Sequence, residues 1–410
     1  MKYDFNSEVF DVLIGGKSII DTRMGLSYYP MKKYEDVDRF ISCYGYELED
    51  PIEKAEILGN FREALAFVRK HFLQPENPDG LKIEVPRKIL ELTDIRDLFL
   101  MANLALPGQG QDSSGFALKN WACSLLRVVH TIVHIDKDVR TPYFSEIQKQ
   151  IFDRFYKFIH REEGGKLFLS GTGDEPTQVN LVAFETKPKK PRDSILLKLL
   201  HKPENVAEEL FDRVGLRFVT QDRLDTLRIV KFLKDMMVIM PANIKPSRSR
   251  NTLLNLTAVQ EEVKKIKEEK LSDEKKIVSR LTEASFQPDA ASGLNPHSSE
   301  HYKSLQFTCR QLIKFSNTAY NDIRELKNLS KTGDLPERVA KQIDKIDLKF
   351  IQKEVRFFYP FEIQIVDKKS FDENEKGRSA HSDYKKAQIQ TAMKRVMKGF
   401  LEAPVHGSGS

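Results

Sequence analysis

Long apolar runs are missing from this chain of 410 residues. None approaches the roughly eighteen residues that a membrane-spanning helix needs. The opening "MKYDFNSEVFDVLIGG" carries acids where a secretory leader is basic, and it has no apolar centre. Cysteine is scarce: Cys43, Cys123 and Cys309 lack metal-ligand spacing, and three thiols cannot all pair. These absences argue against a helical membrane protein and a disulfide-stapled domain, and they point to a reducing, cytoplasmic setting. There is no His-Asp dipeptide, which weighs against a metal-dependent phosphohydrolase, and no internal repeat. The terminal "GSGS" within the tail 403–410 reads as a cloning remnant.

What is present is enough for a large core. Hydrophobic residues make up 40% of the chain and charged residues 31%, a composition that excludes global disorder and predicts an exposed, helix-rich surface. The net charge of +6 is uneven: residues 1–166 hold 23 Lys and Arg against 26 Asp and Glu, and the remainder holds 43 against 34. A polyanionic ligand should therefore favour the C-terminal part.

Periodicity divides the chain near residue 165. Segments such as "DPIEKAEILGNFREALAFVRKHFL", "GFALKNWACSLLRVVHTIVHID" and "TPYFSEIQKQIFDRFYKFIHRE" repeat apolar residues at three- and four-residue spacing and predict a mostly helical domain over 1–165. The glycine-rich "HREEGGKLFLSGTGDEPTQ" breaks that pattern. Over 166–402, strand-like "VNLVAFET", "ELFDRVGLRFV", "YKSLQFTCRQLI" and "FEIQIVD" alternate with helical "DSILLKLLHK", "RLDTLRIVKFLKDMMVIM" and "SDYKKAQIQTAMKRVMKGF". This alternation predicts a mixed sheet flanked by helices, an α+β architecture overall. Two long stretches, 241–300 and 316–350, read as insertions, the first containing the single charged helix "AVQEEVKKIKEEKLSDEKKIVSRL".

Several residues are candidates for chemistry. His130 and His134 share a helical face, but Thr131 stands where a helical zinc protease has its glutamate, so core or surface histidines are the reading. "GQGQDSSG" at 108–115 has no strand before it and reads as a connector. Lys187, Lys189, Lys190 and Arg192 precede a predicted helix start, where backbone amides favour an anion. Lys198 lies one turn beyond Ser194 on the same face. Asp212 and Glu362 fall on two predicted strands, and two carboxylates on neighbouring strands can hold Mg²⁺ together with substrate phosphates. Tyr302 opens a strand, where its ring can stack on a base. Taken singly, each reads more readily as a solvated charge or a core aromatic.

In order, these segments resemble the synthetase domain of the RelA/SpoT proteins, ATP-dependent (p)ppGpp synthetases. "DSILLKLLHK…ELFDRVGLRFV" is similar to that family's Ser-Ile-x-x-Lys helix and Asp-x-x-x-Ile/Leu-Arg strand. "YKSLQFT" resembles its Tyr-Gln-Ser-Leu-His-Thr motif, and "FEIQIVD…GRSAHSDYK" its Glu-Ile-Gln-Ile-Arg-Thr strand and Gly-x-Ala-Ala-His-x-x-Tyr-Lys continuation. The resemblance is confined to the C-terminal half. It implies a nucleotidyltransferase-like sheet and transfer of the β,γ-pyrophosphoryl group of ATP to the 3′-hydroxyl of a guanosine nucleotide (GTP or GDP). In some toxin-like relatives the acceptor is the 3′ end of tRNA.

Carried over by position, the resemblance makes Asp212 a Mg²⁺ ligand and Glu362 a second ligand or the base that accepts the hydroxyl proton. It places Lys190, Arg192, Ser194, Lys198 and Arg217 on ATP, and Tyr302, Gln364, His381 and Lys385 on the acceptor. The chain departs from the pattern at Pro188, where an arginine is expected and Lys187 or Arg192 is a substitute. It departs again at Gln306 for histidine, Val366 for arginine, and Glu300-His301 for Asn-Gly. Two functions follow: a Mg²⁺-dependent pyrophosphokinase, or a degenerate relative that binds nucleotides or RNA without transfer.

Overall fold

Two hydrophobic cores divide the chain into two compact units that are not consecutive halves. The computed structural model describes residues 12, 14–16, 18, 21, 31–171, 178–187, 191–201, 213–286, 302–333, 335–376 and 378–402, the side chains of 378–384 aside. One unit comprises 1–142, 189–210 and 377–410; the other comprises 143–188 and 211–376. The change of texture near residue 165 is therefore not the border between cores. The helix Phe144–Tyr156 packs Phe144, Ile147, Ile151 and Phe155 into the second core, whereas Arg192–His201 and Arg378–Val396 build the first.

The first unit is helical. Asp50 and Asp112 cap the helices Pro51–Phe72 and Ser113–Asp136 by accepting from Ile52 N at 2.8 Å and Gly115 N at 2.8 Å, so the chain starts each helix at a short acidic side chain. Trp121, Leu125, Val128 and Ile132 then recur at helical spacing and are buried. Buried Arg127 donates to Val396 O at 2.9 Å, which satisfies a carbonyl at the end of Arg378–Val396.

His130 accepts at Nδ1 from the Tyr44 hydroxyl at 2.6 Å, and its ring lies 4.4 Å from that of His134. Burial, reinforced by His134, pushes its pKa down to about 4, and burial lifts the Tyr44 phenol to about 12, so a neutral imidazole accepts from a protonated phenol. Among the described residues no group of three or more His, Cys, Asp or Glu side chains could hold a metal ion. None of the helices is long and apolar enough to cross a membrane, again among the described residues.

The second unit carries the sheets. β1 (Ile159–Arg161), β2 (Leu167–Ser170) and β3 (Gln178–Leu181) form a small antiparallel sheet. β4 (Ala183–Thr186), β5 (Gly215–Thr220), β6 (Ile244–Asn251), β7 (Leu305–Ser316) and β8 (Glu354–Asp367) form a mixed sheet in the order β4-β5-β8-β7-β6. Among the described residues of this sheet, only β5 and β8 pair in parallel. The helices Phe144–Tyr156 and Asp225–Asp235 supply Ile151, Phe155, Ile229 and Phe232 to the core against the apolar face.

Local expectations shift in four places. "VNLVAFET" is two strands in two sheets, because Val182 interrupts it: Leu181 pairs with Leu167 and Ala183 with Val219. The basic "KPSRSRN" belongs to β6, so the segment 241–300 begins inside the sheet instead of outside it. The single charged helix is two, Leu256–Glu268 and Glu274–Ser285. Lys270 has φ 48° and Asp273 caps the second helix, accepting from Lys275 N at 3.1 Å. The segment 316–350 holds the helices Thr318–Leu329 and Glu337–Asp344, neither with a buried residue, between β7 and β8.

Because folded His130 resists protonation while unfolded histidine titrates near 6.5, its contribution to stability is complete above pH 6.5 and declines as pH falls towards 4. The loss should reach at most about 3 kcal/mol. Urea midpoints measured across this range should fall with acid in the wild type and fall less in His130→Phe.

Candidate functional site

β8 runs through the middle of the mixed sheet with neighbours on both sides, and its period of two decides which side chains leave the core. Phe361, Ile363 and Ile365 join the apolar core, so Glu362 and Gln364 occupy the opposite face. Parallel pairing sets Gly215 beside Glu362 and Arg217 beside Gln364, while antiparallel β7 sets Thr308 beside Glu362 and Gln306 beside Gln364. Three strands thus deliver the centre of one polar patch.

Glu362 is 8% exposed, and both its oxygens are engaged. Lys187 Nζ donates to Oε2 and Gln306 Nε2 to Oε1. Gly215 makes the lysine's reach possible: a Cβ there would lie 2.5 Å from Lys187 Cδ, so the aliphatic stem crosses β5 where a side chain is missing. The Lys187 amide also donates to Gly215 O at 2.8 Å.

Gln364, 4% exposed, accepts from Arg217 Nε at 2.9 Å and donates to the Tyr302 hydroxyl at 2.5 Å. Arg217 also donates through Nη1 to Glu185 at 3.1 Å, lies 3.7 Å from Glu375, and sits 5.5 Å from the Phe371 ring. Tyr302 is held through its backbone, its carbonyl accepting from Thr252 Oγ1 at 2.8 Å. The helix Lys368–Lys376 borders this end of the patch, with Asn374 Oδ1 accepting from Lys303 N at 3.2 Å.

Of the residues singled out by sequence, the structure brings Glu362, Gln364, Arg217 and Tyr302 together. Lys187, a substitute in the family pattern, and Gln306, a departure from it, touch the Glu362 carboxylate directly. Glu185 and Glu375 carried no signal in the sequence; they resemble ordinary exposed acids until their strands and helix are placed. Asp212 and Lys190 lie outside the described residues, as does the side chain of His381. Val214, two residues beyond Asp212, has its carbonyl accept from Glu362 N at 2.9 Å.

Arg192, Ser194 and Lys198 lie on the helix Arg192–His201 of the helical unit, and Lys385 is exposed on Arg378–Val396 of that unit. Arg192 is bound there by two carboxylates, Glu63 and, at 2.6 and 2.9 Å, Asp136. Next to it, Asp193 accepts from Lys70 at 2.6 Å and bonds His71 at 2.9 Å.

The described side chains of the patch carry Lys187 and Arg217 against Glu185, Glu362 and Glu375, a net charge of −1. A net negative charge repels a bare polyphosphate. For Mg²⁺, Glu362 is the carboxylate best placed among the described residues. One carboxylate suits an ion held chiefly by substrate phosphates, provided Lys187 releases Oε2. Comparison of the chain with protein-family models, with curated proteins and with solved structures finds no match.

Removing the lysine leaves a buried carboxylate without its cation. Lys187→Ala should lower unfolding free energy by about 1–3 kcal/mol in urea titrations, the lysine being partly exposed. Adding Glu362→Gln to Lys187→Ala should recover most of that loss. Gly215→Ala should act in the same direction as Lys187→Ala, because its methyl group displaces the lysine stem.

Proposed function

We propose that this protein is an ATP-dependent pyrophosphokinase, moving the β,γ-pyrophosphoryl group of ATP to the 3′-hydroxyl of a nucleotide or of tRNA. The observation that carries this reading is the convergence of Glu362, Gln364, Arg217 and Tyr302 on one face of a rigid mixed sheet. Phosphoryl-type transfer asks the protein mainly for positioning, charge neutralisation and one base. Arg217, donating to Gln364, holds a fixed cation on the strand next to β8, and Tyr302 offers a ring tied to Gln364. Lys187 is the cation poised to exchange its carboxylate for a phosphate oxygen, which frees Glu362 Oε2 to accept the 3′-hydroxyl proton as the hydroxyl oxygen bonds the β-phosphorus and the α,β-bridging oxygen leaves with AMP. Mg²⁺, with Asp212 as its candidate protein ligand and Glu362 as a second ligand where it does not serve as the base, would neutralise the phosphate charge when bound.

One observation favours a second reading, nucleotide or RNA binding without transfer. Lys187 and Gln306 together occupy both oxygens of Glu362, as in a carboxylate kept for structure.

Incubation with γ-labelled ATP, Mg²⁺ and separate pools of GTP, GDP, ATP and tRNA decides between them. A pyrophosphokinase transfers label to one pool, and Glu362→Gln lowers turnover by at least about a hundredfold. Tyr302→Ala instead weakens the acceptor by roughly 1–3 kcal/mol of stacking, with ATP binding nearly unchanged. A wild type that labels no pool, while both variants bind ligand less well, establishes the binding protein.

A further inference from the structure

Beyond the Glu362 patch, β7 and β8 continue as a two-stranded ribbon, Arg310 to Ser316 against Glu354 to Pro360. Its odd-numbered side faces the core: Ile313 and Tyr359 are buried, Phe315 stacks with Phe357, and Gln150 bonds the Lys314 amide at 3.2 Å and carbonyl at 2.8 Å. On the even-numbered side, which continues the face that bears Gln306 and Glu362, Arg310, Leu312, Lys314, Ser316, Arg356 and Phe358 are exposed, while Pro360 is buried.

Along it, Leu312 pairs with Phe358, 39% and 52% exposed, and Lys314 pairs with Arg356. Arg310 lies on the near side of the apolar pair. Arg310 and Lys314 make no salt bridge among the described residues, while Arg356 is held by Glu354. Three cations against one carboxylate leave this narrow strip at +2.

We propose that this ribbon face binds single-stranded nucleic acid. Same-face residues on a strand stand about 7 Å apart, so cation, ring and cation alternate along the strip as phosphates and bases do along an extended strand. An exposed phenylalanine seated between cations is a stacking platform flanked by phosphate ligands. A duplex buries its bases and offers nothing to Phe358, and an acidic peptide would use the cations but not the ring. The surface stands whether or not Glu362 performs transfer.

Fluorescence anisotropy on the full chain tests it, with a labelled oligouridylate, an oligothymidylate of equal length, an RNA duplex and polyglutamate. The single strands should bind most tightly, and the two of them distinguish RNA from DNA as the source. Phe358→Ala should weaken single-strand binding roughly tenfold. Arg310→Ala with Lys314→Ala should flatten the slope of log affinity against log salt by about 1.4, two phosphate contacts on a single strand. Lys264→Ala, on the exposed side of Leu256–Glu268, should change neither. Thermal melts check that the variants remain folded. The proposal is overturned if the wild type binds neither single strand, if duplex or polyglutamate binds as tightly, or if the ribbon variants retain wild-type affinity and salt slope.

Discussion

A carboxylate in the middle of a sheet, on a strand paired on both sides, governs the second unit. Glu362 cannot be left alone at 8% exposure, because a buried charge without compensation costs several kcal/mol. Its compensation reaches into three other places: Lys187 beyond the end of β4, the bare backbone of Gly215 on β5, and the amide of Gln306 on β7. The same registers that bring those groups in place Arg217 against Gln364 and turn Phe361 and Ile363 into the core. One slipped residue on β8 would exchange the two faces, and both the core and the patch would be lost.

That economy explains why the patch is made of strands. Side chains on adjacent strands are fixed by backbone hydrogen bonds, so Glu362 and Gln364 need no separate scaffold to be held. It also explains the extension of β7 and β8 past the sheet. Where β5 and β6 stop, the helix Phe144–Tyr156 still covers one side of the ribbon, and the other side shows its alternate residues to solvent. The first unit uses a different economy. There Arg192 with Glu63 and Asp136, and Asp193 with Lys70 and His71, gather charges around the start of one helix whose leucines fill the core.

By itself, the sequence determined what depends on neighbours along the chain. The period of two in "FEIQIVD" announced that Glu362 and Gln364 share a face, and apolar spacing announced the helices of the first unit. The succession of strands and helices was enough for a helical region followed by a mixed sheet. Tertiary structure decided what depends on distant pairing. No local signal tells that "KPSRSRN" is an edge strand, that Val182 sends two halves of one run to different sheets, or that Arg192 answers to Glu63 while Lys187 answers to Glu362. A basic side chain reads alike in every one of those settings. Its partner is chosen by strand register and by which backbone leaves room, as Gly215 does for Lys187, and those are properties of the assembled sheet.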